Sequence, residues 1–153
     1  IETHTYTSTV NGVTTTRTVN YYNYNSIIAI NVNPDMSIQW ATKIPKLQVT
    51  TDGGYYSSYE YAVTGDKIYL VFNDHPDNVL VTDPKKIKNF NGKSSVATVV
   101  TLTADGKWKK SLLFSNKEEG VILRPKVCEQ ISEHQFFLYA EKGKNYVIGK
   151  VDM

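Results

Sequence analysis

The chain has 153 residues, of which 41% are hydrophobic and 21% charged, values that exclude a disordered chain. Its net charge of +2, from 17 basic and 15 acidic residues, is too balanced to imply a nucleic-acid partner. No apolar run approaches the ~20 residues that a membrane-spanning helix needs. One domain of this size can bury a core without disulfide staples, and the single Cys128 allows no internal disulfide. Cys128 lies in a strand-like run, Lys126 to Ile131, and is expected as a small buried residue. The start at Ile1, with no charged and apolar leader behind it, leads us to expect a mature form or an excised piece.

Eleven tyrosines and many Val, Ile and Thr favour strand. The Thr-rich start, residues 1–25, reads as an exposed hairpin arm. Asn11-Gly12 divides two β-branched runs, and this dipeptide suits a turn whose two central residues need positive φ. Ser26 to Asn33 reads as the first core strand, and Ile38 to Ile44 as its return after Pro34-Asp35-Met36. Tyr59 to Val63 is a third strand. Ile68 to Phe72 is a fourth, and its continuous apolar character predicts burial on both faces.

Residues 75–94 form a long polar connection. It holds Lys85, Lys86, Lys88 and Lys93, with Asp83-Pro84 and Asn91-Gly92 as turn signals, and reads as a solvated loop. Strands are then expected at Val96 to Thr103, Trp108 to Phe114, Val127 to Ile131, Phe136 to Ala140 and Tyr146 to Val151. The acid pair Glu118-Glu119 reads as loop between them.

Two segments repeat. Ile30 to Ile38 aligns with Val100 to Trp108 at an offset of 70, so that Asp35 and Asp105 share a turn position. Val63 to Leu70 aligns with Ile131 to Leu138 at an offset of 68. Repeated units of four sequential antiparallel strands are the pattern of propeller blades. The expected architecture is therefore all-β: the arm, unit one over 26–74, the connection, and unit two with a final strand over 95–153. Two blades do not close a ring, so a fragment of a larger propeller is the first expectation, with two blades packed face to face as a sandwich, or self-association through open blade edges, as the alternatives.

The order Ile38-Gln39-Trp40, Ile44-Pro45-Lys46-Leu47-Gln48, Ser57-Ser58-Tyr59, then Lys67 to Asp74 with Asn78, and later Arg124-Pro125-Lys126, carries a resemblance. From about Ile27 onward the chain resembles the C-terminal part of uncharacterised, exported, propeller-like proteins of Bacteroidetes. The resemblance implies a propeller segment ending near a natural C-terminus, and a periplasmic, cell-surface or secreted location. It implies no reaction and no catalytic residues.

Two stretches carry candidate chemistry. In Asn73-Asp74-His75-Pro76-Asp77-Asn78, oxygens of Asn73, Asp74, Asp77 and Asn78 are the densest set of Ca²⁺-type ligands, with His75 available to a transition metal. The same residues make turns after a strand, and the run lacks the regular oxygen ladder with glycine of a calcium loop, so a turn without cofactor is the expectation. Tyr55 and Tyr56, beside Gly53-Gly54, are placed at a loop tip where flat amphipathic rings meet a glycan, peptide or protein. His4, His75 and His134 share no motif, and His134 is expected at an exposed turn. No nucleophile-elbow, metalloprotease or P-loop pattern occurs. A non-enzymatic binding or scaffold segment is the leading expectation. The alternative is part of a carbohydrate-active enzyme whose other site residues lie in further blades.

Overall fold

The computed structural model describes every residue except Asn91 and Lys93, so the expected Asn91-Gly92 turn and Lys93 of the basic cluster lie outside the described residues. The fold is all-β and antiparallel. The arm is β1 (Glu2–Val10) and β2 (Val13–Asn23), paired Glu2 to Tyr21 through Val10 to Val13. Asn11 and Gly12 take φ of 50° and 77°, as the sequence predicts. Nearly all of the arm is exposed, and one face is a ladder of facing hydroxyls, with Thr9 and Thr14 3.0 Å apart. The far end of β2 pairs with the short β5 (Val49–Thr50).

Between them, β3 (Ile27–Val32) and β4 (Ile38–Ile44) form a two-stranded hairpin. The next sheet is a sequential meander: β6 (Glu60–Thr64), β7 (Lys67–Asp74), β8 (Val96–Thr103) and β9 (Trp108–Ser115). A single helical turn, α1 (Asn116–Glu119), follows where loop was expected. Ser115 caps its start, and Gly120 ends it at φ 68°. The last sheet is β10 (Ile122–Leu123), β11 (Glu129–Ser132), β12 (Gln135–Lys142) and β13 (Asn145–Asp152). β10 and β11 both pair with β12, and β13 pairs with β12 along its whole length. The tight turn at Pro125–Val127 lies between β10 and β11, so the strand expected from Val127 starts at Glu129.

The grouping of strands departs from the sequence expectation. Residues 26–74 are not one sheet, because β4 has no pairing with β6. The four-stranded sheet instead joins the last hairpin of the expected first unit to the first hairpin of the second. The reason is the connection 75–94. Its composition reads as a boundary, but it returns the chain to the free edge of β7. It is tied down on the way: Phe90 N donates to Leu47 O at 2.9 Å, and Asn89 Oδ1 accepts from Val49 N at 2.7 Å.

The result is three layers. The β3–β4 hairpin covers one face of the β6–β9 sheet through Ile27, Ile44, Leu70, Phe72 and Val100. The β10–β13 sheet covers the other face through Ala62, Val71, Ala97, Leu123, Cys128, Phe136 and Leu138. β7 therefore lies in the middle, with Leu70, Val71 and Phe72 buried, as its unbroken apolar run requires. Along one margin the two larger sheets also touch at their edges. Gln130 uses its side-chain amide as a substitute strand, accepting from Val63 N at 2.9 Å and donating to Val63 O at 2.8 Å. Cys128 is buried as expected, and burial pushes its thiol up to about 11.

The repeat holds at the turns. Asn33 N donates to Ser37 O and Met36 N to Asn33 O; Thr103 N donates to Lys107 O and Gly106 N to Thr103 O. Asp35 and Asp105 each accept from the backbone N–H two residues on. The repeat does not extend to burial. Val100 and Leu102 are buried, whereas Ile30, Val32 and Ile38 are 53%, 47% and 64% exposed.

Candidate functional site

Two groups of side chains stand at the end of β7, one buried and one at the surface. They are physically connected.

The buried group contains three of the four oxygen ligands proposed from sequence. Asn73, Asp74 and Asn78 are fully buried, and Asp77 is at the surface, paired with Lys88. Asp74 Oδ2 lies 2.6 Å from Lys110 Nζ on β9, while its Oδ1 accepts from Asn78 Nδ2 at 2.6 Å and His75 N at 2.8 Å. Asn78 also bonds both backbone groups of Lys88, like a strand neighbour. Pro76–Asn78 forms a single tight turn in which His75 Nδ1 accepts from Asp77 N, so a turn is what this run builds. Among the described residues, no group of three or more His, Cys, Asp or Glu could hold a metal ion.

Lys46 joins the same interior. Its Nζ donates to Tyr24 O at 2.6 Å and Gln48 Oε1 at 2.7 Å, and it lies 5.9 Å from the Phe72 ring centroid. Burial pushes its pKa down to about 7; Asp74 pulls the other way, and Lys110 adds like-charge repulsion. The folded value is thus below that of the unfolded chain, about 10.4. Below pH 7 the folded chain bears the whole burial penalty. Above it, the folded lysine releases its proton while the unfolded one keeps it, so stability rises with pH. The expected outcome is a melting temperature that rises between pH 6.5 and 8.5, by up to about 1.4 kcal/mol of stability per pH unit. Thermal scans of Lys46→Met should lose that rise, and an unchanged pH slope would reject this account.

The surface group is the loop of residues 51–58. Three of its residues take positive φ: Gly53 at 84°, Gly54 at 70° and Ser58 at 85°. At Gly54 a Cβ would stand 2.8 Å from Tyr24 Cε2, so the Tyr24 ring would have to shift to admit a side chain. The loop hangs from the buried group. Asn73 Nδ2 donates to Tyr56 O at 2.8 Å, and Gln48 Oε1 accepts from Ser58 N at 2.9 Å. Asn73 is thus brought to the tyrosine loop, as its support.

Tyr55 is 59% exposed, and Tyr56 is half-buried. The Arg124 guanidinium stands 5.4 Å from the Tyr55 ring centroid. Its Nη1 donates to Glu141 Oε1 at 2.9 Å, and Tyr139 OH donates to Glu141 Oε2 at 2.8 Å. Beside them, Lys126 Nζ lies 4.6 Å from the Tyr24 ring centroid and donates to the Tyr24 hydroxyl at 2.9 Å. Burial, then the charge of Glu141, raises the Tyr56 phenol above its ordinary pKa. The hydrogen bond to Glu141 is the main cause of the same shift in Tyr139. The patch offers tyrosine rings, guanidinium and ammonium donors and a carboxylate acceptor on one surface.

Sequence reasoning found Tyr55 and Tyr56 but missed Arg124, Lys126, Tyr139 and Glu141 as their neighbours. These lie 68 or more residues away along the chain, and no local signal joins them to the loop. His134 is exposed at the turn before β12, as expected, and His4 packs against Tyr6 and Tyr21 on the arm. Lys85 and Lys86 are exposed, as a solvated loop requires. A separate apolar cleft of about 200 Å³ lies where β9 and α1 face β12 and β13, lined by Phe114, Val121, Leu138 and Val147 among others. No protein-family model, curated protein or solved structure matches the chain.

Proposed function

We propose that this chain is a binding segment of an exported, propeller-like protein, and that the Tyr55–Tyr56 surface is where it meets a glycan. The observation that carries the reading is the pairing of an exposed tyrosine ring with a guanidinium fixed by a carboxylate. A sugar ring presents apolar C–H groups to an aromatic face and hydroxyls at its rim, and this patch supplies a partner for each. The loop is held by buried Gln48 and Asn73, so little ordering entropy is lost on contact. The stacking of three antiparallel layers in chain order supports the propeller-like part of the reading.

The test is a glycan array probed with the parent chain and with Tyr55→Ala plus Tyr56→Ala. A parent signal that falls at least ten-fold in the variant is the expected result. The loop should survive the change, because Asn73 holds it through the Tyr56 carbonyl and not through a ring. A signal that persists in the double variant removes these residues as the binding surface.

A further inference from the structure

The outer face of the β3–β4 hairpin carries Ile28, Ile30, Val32 and Ile38, 67%, 53%, 47% and 64% exposed. The register puts them on one face: Ile28 opposes Lys43, Ile30 opposes Ala41, and Val32 opposes Ile38. Four large aliphatic side chains in a row on the open face of two strands are a patch that calls for a cover.

The internal repeat says what kind of cover. Through the shared turn, Ile30, Val32 and Ile38 correspond to Val100, Leu102 and Trp108. In the β8–β9 hairpin that face is buried under the preceding layer, β3–β4. The opposite faces correspond as well. Ile27, seventy residues before Ala97, packs onto the following layer, as Ala97 packs onto β10–β13. The β8–β9 hairpin thus turns one face to the layer before it and the other to the layer after it, and β3–β4 turns its inner face to the layer after it. Carried one step back, the same relation puts an antiparallel sheet on Ile28, Ile30, Val32 and Ile38.

The other end of the stack presents such a sheet. Phe136, Leu138 and Val151 face inward, so the alternation directs Phe137, Tyr139, Tyr146 and Ile148 outward. Tyr146 and Ile148 are 66% and 59% exposed. The two end faces of the stack are therefore both exposed, each with large apolar side chains, and they differ from each other.

We infer that the outer face of β3–β4 is the docking surface for the outer face of β12–β13 of a second copy of this chain, in a head-to-tail contact that continues the stack between molecules. Such a contact is heterologous, so it builds rings where the rotation closes and longer arrays where it does not. One detail sets it apart from the contact inside the chain. There, Trp40 lies over the turn at Gly106, where a Cβ would come within 2.8 Å of the indole, and its Nε1 donates to Ala104 O at 2.9 Å. The equivalent of Gly106 in the first hairpin is Met36, 81% exposed, which closes that seat to a tryptophan and offers an apolar side chain in its place. The inference rests on the layered reading proposed above, and its back face shares Tyr139 with the glycan surface.

The experiment is sedimentation velocity over a range of concentrations up to several hundred micromolar. It compares the parent chain, a front-blocked variant (Ile30→Glu with Val32→Glu) and a back-blocked variant (Ile148→Glu). All three positions are about half exposed or more, and unchanged circular dichroism and melting at low concentration verify the fold. The parent is expected to gain mass with concentration, and each variant to stay monomeric. An equimolar mixture of the two variants should form a dimer, because one keeps the front and the other the back. A parent that stays monomeric throughout overturns the inference. So does a back-blocked variant that still dimerises, since the front face would then be pairing with itself, or a mixture that stays monomeric. Glycan binding by the front-blocked monomer is measured in the same preparation. Its loss or survival bears on the ligand surface alone, because Ile30 and Val32 lie at the opposite end of the stack.

Discussion

Lys110→Met is expected to destabilise the chain by about 3–5 kcal/mol, the cost of leaving a buried charge without its partner. Lys110 and Asp74 have side chains that are 1% and 0% exposed, and their charged atoms are 2.6 Å apart. Removing the ammonium leaves Asp74 with the Asn78 amide and the His75 N–H, and no cation in contact. Nζ of Lys110 also reaches Pro45 O at 3.3 Å, so the variant loosens the hairpin exit as well. Adding Asp74→Asn to Lys110→Met should recover a large part of the loss, because the pair costs desolvation that a neutral pair does not incur. Urea denaturation of the parent, both single variants and the double variant gives the coupling. Additive single effects would mean that the two charges do not support one another in the fold.

Phe72→Ala should cost a comparable amount, about 3–5 kcal/mol, through lost burial and the cavity left behind. Phe72 is fully buried on β7 and packs with Ile27 and Ile44 of the hairpin layer, and with Leu70 and Val100 of its own sheet. Its ring also lies 5.4 Å from Lys110 Nζ and 5.9 Å from Lys46 Nζ. The variant therefore removes the contact between two layers and the aromatic face beside two buried ammonium groups. The measurement is the urea midpoint at constant slope. Because Phe72 touches Lys110, the two substitutions should not be additive. A loss below about 1 kcal/mol would show that the hairpin layer contributes little to the stability of the central sheet.

Local chemistry was legible in the sequence. Asn11-Gly12 made its turn because both residues tolerate positive φ. Asp35 and Asp105 marked equivalent turns because a carboxylate can accept from the backbone N–H two residues on, whatever lies around it. The run Ile68 to Phe72 announced a strand buried on both faces, since no polar alternation was left to meet water. Tyr55 and Tyr56 were placed at the surface by the glycines beside them, and Tyr55 is exposed there.

What the sequence could not determine was which strands share a sheet and which faces are covered. The two-residue period says that Ile30, Val32 and Ile38 lie on one side, as Val100, Leu102 and Trp108 do. It is silent on whether another layer lies over that side, and the two hairpins differ in just this respect. The polar stretch 75–94 has the composition of a linker. Its role, returning β8 to the edge of β7, depends on contacts with Leu47 and Val49 some forty residues earlier. The oxygen-rich run Asn73 to Asn78 reads in sequence as a turn, with a cation site as the alternative. The tertiary fold supplied the cation as Lys110 from β9, because burying Asp74 required a positive charge and that strand brought one within 2.6 Å.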